Sequence, residues 1–284
     1  MASSPDIFLV PAQFPTIQSA VDAVVRPTTI VVWPGAYDES VVVADKESVV
    51  IQSSRLSRRG VVVCGDAGHG VFSVSRSTLS LSGIEVRSNG RLRGLAVRDS
   101  TVSLQECVVA GNRTAESGAG MDCRGSSVRL QKSVVVGNTV EPGAGTEAEA
   151  AGGGLWFHGC SIEIAGCTLQ ANACYSGTRA RGGGIWCGES SMRMWRSRVT
   201  DNALRASLCE GAGIYFRDPG RIELGGSVIT GNGSAEGKGG GIFVEGDPSG
   251  VSIHPNTFVR QNHPDDVWPL SGKWPGPTPA PPGG

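Results

Sequence analysis

Between Gly118 and Asn262 apolar and polar residues alternate in short runs, and the runs recur as a set. Each set opens on a glycine cluster and one apolar residue: Gly118-Ala119-Gly120-Met121, Gly152-Gly153-Gly154-Leu155, Gly182-Gly183-Gly184-Ile185, Gly211-Ala212-Gly213-Ile214 and Gly239-Gly240-Gly241-Ile242. An apolar pair spaced by one residue follows: Val128/Leu130, Ile162/Ile164, Met192/Met194, Ile222/Leu224 and Val251/Ile253. A small residue and an aliphatic one then lead to an asparagine, as Cys167/Leu169 lead to Asn172 and Ser197/Val199 to Asn202. The asparagines step by 26, 34, 30, 30 and 30 residues (112→138→172→202→232→262). A fixed period of about 20–50 residues marks a solenoid or a propeller.

The unit itself chooses between them. It holds three short segments with period-two alternation and no helical stripe. Three short strands per unit, each stacking on its counterpart in the next, predict an all-β fold: a single right-handed parallel β-helix. A four-stranded propeller blade needs a longer period. Coils about 4.8 Å apart would make roughly nine coils into a rod about 40 Å long. Asparagines one coil apart are expected to hydrogen-bond as a ladder along a corner. The glycines are expected at the far end of a loop, where the chain re-enters the first strand.

The start of the chain reads differently. Ile7–Val10 suits a strand, and Ile17, Ala20, Val21 and Val24 share one helical face behind Thr16. A short amphipathic helix there would cap the open end of the rod. The expected organisation is an N-terminal strand and capping helix (1–28), the β-helix (29–262), a C-terminal cap (263–274) containing Trp268 and Trp274, and a disordered Pro/Gly tail (275–284). Less regular coils occupy 60–112.

Composition narrows the function. Glycine, 42 of 284 residues, is about twice its usual share, and the repeat accounts for it. A net charge of −1 argues against a nucleic-acid partner, which needs a basic excess. No run approaches the ~18 apolar residues of a membrane span. The N-terminus lacks a signal-peptide pattern, so the compartment stays open: cytoplasmic, or secreted and processed. The 8 cysteines form no CxxC and no disulfide framework. Cys107, Cys123, Cys167 and Cys187 fall on inward positions, whereas Cys174 and Cys209 are expected as free thiols in loops.

Phe14-Pro-Thr-Ile-Gln-Ser-Ala-Val-Asp-Ala-Val, followed by Thr29-Ile-Val-Val-Trp-Pro-Gly-Ala-Tyr, resembles the N-terminal signature of the pectin-lyase-like right-handed β-helix superfamily. The Gly-Gly-Gly-Ile…Asn repeats resemble the generic repeat of the same superfamily, and the likeness covers about residues 5–262. The resemblance implies the fold and a substrate groove on the strands that follow the glycine clusters. It implies no single activity, because this superfamily hosts lyases, hydrolases, esterases, epimerases, adhesins and binders. The clustered aspartates of calcium-dependent pectate lyases, the Asn-Thr-Asp and Asp-Asp motifs of polygalacturonases and the Gln-Asp/Arg set of pectin methylesterases are not found. Gly68-His69-Gly70 is similar to one polygalacturonase motif but stands in the wrong coil and reads as a turn.

Candidate chemistry sits on that first strand. Its outward positions are Asp122/Arg124, Trp156/His158, Trp186/Gly188, Tyr215/Arg217 and Phe243/Glu245. This puts Trp156, Trp186, Tyr215 and Phe243 in one exposed column, beside Arg124, His158, Arg217 and Glu245. Aromatic faces flanked by charged groups suit the apolar faces of sugar rings. Asp122, Arg124 and the aromatic column, with Arg181 on the rim, are therefore the expected oligo- or polysaccharide contacts. His158 as a base, Arg217 as a carboxylate clamp, and Glu210 with Glu245 as a carboxyl pair are the catalytic candidates for a lyase, epimerase or hydrolase acting on a uronate-containing chain. The loop from Thr139 to Ala151 is the candidate lid. No cofactor is expected, and no carboxylate cluster supports Ca²⁺. The competing readings are a non-catalytic glycan- or protein-binding module and a purely structural rod. On the second strand Arg129, Glu163, Arg193 and Glu223 alternate in charge and suit a solvated ladder of ion pairs. The sequence does not give the oligomeric state.

Overall fold

The structure is a computed structural model that describes residues 5–54, 60–143 and 146–269. Strands dominate, and every strand pairing is parallel and in register from coil to coil, as in Val128↔Ile162↔Met192↔Ile222. Three walls result. The first, of nine strands, runs from Val41–Ala44 to Val267–Trp268 and holds the strands that follow the glycine clusters. The second has ten strands, from Asp6–Val10 to Val251–Ile253, and the third has nine, from Gly35–Asp38 to Phe258–Arg260. Side chains alternate in and out, and one continuous core of Val, Ile, Leu, Phe, Met and Cys fills the interior.

The asparagine ladder is present from Asn112 to Asn262. Each backbone N–H and each Nδ2 donates to the Oδ1 of the next asparagine, at 2.8–3.1 Å. Asp266 stands in for the next rung, accepting from the Asn262 backbone N–H at 3.0 Å and from Nδ2 at 2.9 Å. At the other end Asn112 Oδ1 is buried without a partner. The glycines are not remote from this corner. A Cβ on Gly154 would come within 2.5 Å of the Gly184 carbonyl and 3.1 Å of the Asn172 amide. Glycine and asparagine recur together because each last glycine of a cluster packs on the asparagine of its own coil.

The N-terminal helix spans Ile17–Asp22, with Thr16 as N-cap and a capping box to Ser19. Ile17, Ala20 and Val21 are buried beneath it. Val41–Ala44 is the terminal strand of the first wall, and the helix lies against it. Gln18 acts as a surrogate strand there. Its Oε1 accepts from the Val42 N–H at 2.6 Å and its Nε2 donates to the Val42 carbonyl at 3.2 Å, which satisfies an exposed sheet edge.

The loops are more ordered than their sequence suggests. Five short strands after the asparagines (Arg113–Thr114, Thr139–Val140, Ala173–Tyr175, Ala203–Arg205, Gly233–Ser234) form a lateral sheet. Three more before the glycines (Ala150–Ala151, Arg179–Arg181, Leu208–Glu210) form another. Both ends of the expected lid from Thr139 to Ala151 are therefore built into sheets. Val140, Cys174, Leu204, Ala150, Ala180 and Cys209 make a second apolar core between them. Cys174 and Cys209 are thus buried core residues rather than loop thiols, because their strands turn that face inward. All eight cysteines are free. Within the expected cap, Val267–Trp268 pairs in parallel with Ile242–Phe243 as the terminal strand of the first wall. Trp274 and the expected tail lie outside the described residues.

Candidate functional site

The first wall places its aromatic residues in register, Trp156↔Trp186↔Tyr215↔Phe243↔Trp268. They stack. Ring centroids are 4.7 Å apart for Trp156–Trp186, 6.2 Å for Trp186–Tyr215 and 5.4 Å for Tyr215–Phe243, with interplanar angles of 5°, 16° and 4°. The parallel column runs Arg98↔Arg124↔His158↔Gly188↔Arg217↔Glu245.

The aromatic column is not open along its length as expected. Trp186, Tyr215 and Phe243 are only 6%, 0% and 7% exposed. The cause is the turn ahead of each strand. At Gly152 the backbone has φ +64° and passes so close to Trp156 that a Cβ would lie 2.7 Å from the Trp156 Cβ. This sharp turn folds the lateral strand back over the rings. Ala151, Arg181, Glu210 and Lys238 then form a second, registered row facing them. Arg181 lies 5.1 Å from the Tyr215 ring centre and Lys238 4.5 Å from that of Trp268. Arg181 is itself held by Glu210 at 2.9 Å and Glu149 at 3.3 Å. Trp156, at the near end of the stack, stays half-buried, and so does its neighbour His158.

Two clusters emerge from the expected residues. Tyr215, Arg181, Glu210 and Glu245 form one: the Tyr215 hydroxyl donates to the Glu245 carboxylate, and Arg181 bridges ring and Glu210. Burial, together with the hydrogen bond to Glu245, pushes the Tyr215 phenol far above its ordinary pKa. Both carboxylates of the expected catalytic pair are therefore already engaged. Asp122, Arg124, Trp156 and His158 form the other cluster. Arg124 lies 4.8 Å from the Trp156 ring centre and the His158 ring lies 5.9 Å from it. Arg217 sits between the clusters, with its nearest carboxylate, Asp218, at 3.8 Å.

Two arginines that the sequence did not single out complete the second cluster. Asp122 is only 1% exposed. Arg93, itself buried, donates to it, as does Arg98 at 2.8 Å, and Arg124 approaches at 3.5 Å. Arg93 also pairs with Glu116. Within this ion-pair network three cations thus face two carboxylates. The buried carboxylate of this cluster, Asp122, is surrounded by guanidinium groups. Among the described residues no group of three or more acidic, His or Cys side chains could hold a metal ion. No described helix is long and apolar enough to cross a membrane.

The family described as the right handed beta helix region matches residues 69–258. The chain belongs to it. No curated protein sequence matches the chain. Among solved structures, it is similar to a pectin methylesterase in complex with a hexasaccharide, at 10% identity over 90% of this chain and 88% of that one, with a TM-score of 0.48. It is also similar to the pectin methylesterase PemA of Erwinia chrysanthemi (10% identity, 92% and 93% covered, TM-score 0.44). An alginate lyase of Paenibacillus sp. str. FPU-7 matches at 12% identity, with 88% and 95% covered and a TM-score of 0.40. At such identities no residue role carries over.

Proposed function

We propose that the protein is a recognition module for an acidic oligo- or polysaccharide, bound on the first wall around Trp156. One observation carries the reading: the half-buried Trp156 ring ends the stack beneath Arg124, in a patch where Arg93, Arg98 and Arg124 outnumber Asp122 and Glu116. An aromatic face beside excess guanidinium groups matches a sugar ring carrying a carboxylate. Arg124, Trp156 and His158 are the proposed contacts, with Arg217 further along the wall. Trp186, Tyr215 and Phe243 support the platform from behind, and Asp122 and Arg181 hold the cations and rings in place.

Binding is favoured over hydrolase chemistry because Glu210 and Glu245 are both occupied, by Arg181 and Tyr215, and over lyase or epimerase chemistry because the base and clamp candidates His158 and Arg217 stand two coils apart. Calorimetric titration with uronate oligosaccharides and neutral counterparts tests the proposal. Wild type should prefer the acidic ligands, and Trp156→Ala and Arg124→Ala should each weaken them about tenfold. Unchanged affinity in both variants, with the fold intact, would sink the reading. Release of shortened or unsaturated products would restore a catalytic role. A structural rod is the second reading, favoured by the covering of Trp186, Tyr215 and Phe243; it expects no saccharide binding at all.

A further inference from the structure

The second wall carries an open cleft that the first-wall reading does not use. The last outward position of its strands runs Gln105↔Gln131↔Ala165↔Trp195↔Gly225. Trp195 leans away from Ala165. A Cβ on Gly225 would fall 1.7 Å from Trp195 Cζ3, so the indole fills the space that the missing side chain leaves. The His254 ring braces it from beyond, with centroids 4.9 Å apart at 50°. On the opposite side the small residues Ala165 and Gly166 leave a cleft of about 550 Å³ between Trp195 and Gln131. That volume lies within the range of small-ligand sites.

The charges around it are unlike those elsewhere on this wall. In the neighbouring column Arg129 pairs with Glu163 at 2.8 Å and Arg193 with Glu223 at 3.1 Å. The cleft is rimmed instead by Lys132 and Arg196, on the turns that follow the Gln131 and Trp195 strands. Among the described residues neither side chain has a hydrogen bond or an ion pair. Glu106 occupies the equivalent turn one coil below Lys132 and does not pair with it.

We infer that this cleft is a second saccharide site, selective for an anionic sugar residue. The Trp195 face takes the apolar side of the ring, the Gln105 and Gln131 amides take hydroxyls, and Lys132 with Arg196 take the carboxylate or sulfate. The inference stands on the second wall alone and does not require the first-wall site.

The experiment is done in a Trp156→Ala/Arg124→Ala background, so that the first-wall contacts are absent. Tri-galacturonate, maltotriose and inorganic sulfate are titrated into the full chain by calorimetry. Tri-galacturonate should still bind, at least fivefold more tightly than maltotriose. Adding Trp195→Ala should weaken it tenfold or more, and Lys132→Ala/Arg196→Ala should abolish the preference for the acid. Ala165→Leu, which fills the cleft while keeping the indole in the protein, should also block binding and decides the matter if Trp195→Ala does not fold. Absence of binding in the background protein, or equal affinity after Ala165→Leu, overturns the inference. Binding of sulfate as tight as that of tri-galacturonate would also overturn it, by showing an anion site with no role for the sugar ring. Loss of wild-type binding on removing only Trp156 and Arg124 would leave the first-wall proposal standing and this one refuted.

Discussion

The indole of Trp186 lies where a side chain at position 188 would stand: a Cβ on Gly188 would come within 2.4 Å of Trp186 Cη2. The ring therefore lies low against its own strand, between Trp156 and Tyr215. Gly188→Ala must either lift the indole or shift the strand. Overpacking of this kind costs about 1–3 kcal/mol. Equilibrium unfolding in denaturant should show that loss as a lower midpoint with an unchanged slope. A neutral result would mean that the stack is loose enough to slide.

The asparagine ladder should matter most in its middle. Asn172 accepts from the Asn138 N–H and Nδ2 at 3.1 and 2.9 Å, and donates to Val135 and Asn202, both at 3.0 Å. Asn172→Ala strands several buried polar groups at once, at about 1–3 kcal/mol each. Asn262 is half-buried and its last partner, Asp266, sits near solvent. Asn262→Ala should therefore cost clearly less than Asn172→Ala in the same unfolding assay. Equal losses would contradict a ladder whose last rung, Asn262, alone reaches toward water.

The period made the fold readable, because the same contact repeats in every coil: the last glycine touches its asparagine, and the intervening strands stack in register. The aromatic column was readable for the same reason, each ring standing two residues after the last glycine of its cluster. Its covering was not. The lateral strands that fold over it, such as Ala150–Ala151 and Arg179–Arg181, are too short for alternation to show. Nor was the partnership of Arg93 with Asp122 visible. It joins residues 29 apart, across the stretch where the repeat spacing is least regular. Trp195 offered no signal either, since its importance depends on a missing side chain at Gly225 in the next coil.

Asp122 and Arg124 should respond very differently to substitution, although they are two residues apart. Asp122 is the shared counter-ion of three arginines, one of them buried. Removing it leaves Arg93 with only Glu116, which is exposed. Breaking a buried ion pair from one side costs about 3–5 kcal/mol, so Asp122→Ala should be strongly destabilised or fail to fold. Arg124 keeps 53% of its side chain in solvent, and Arg124→Ala should stay within about 1 kcal/mol of wild type. Thermal unfolding of the two variants side by side checks this contrast. It also qualifies Arg124→Ala as a clean probe of binding.

The last expectation concerns alkaline pH. Burial raises the pKa of all eight thiols. Cys107 is pushed up to about 11 from an ordinary 9.0, and the fully buried Cys174 and Cys187 go further. Above the ordinary value the unfolded chain releases these protons while the folded chain keeps them. The unfolded state then binds fewer protons, so stability is full below about pH 9 and falls as pH rises, for Cys107 across the interval up to about 11. Each thiol that stays neutral only in the folded state steepens the fall by about 1.4 kcal/mol per pH unit. Urea midpoints taken from pH 8 to pH 10.5 should decline accordingly. Cys174→Ala/Cys187→Ala will lower the midpoint at pH 8, because each leaves a small void, but should flatten its decline above pH 9. That change of slope separates lost ionisation from lost packing, and an unaltered slope would mean that these thiols do not govern the alkaline limit.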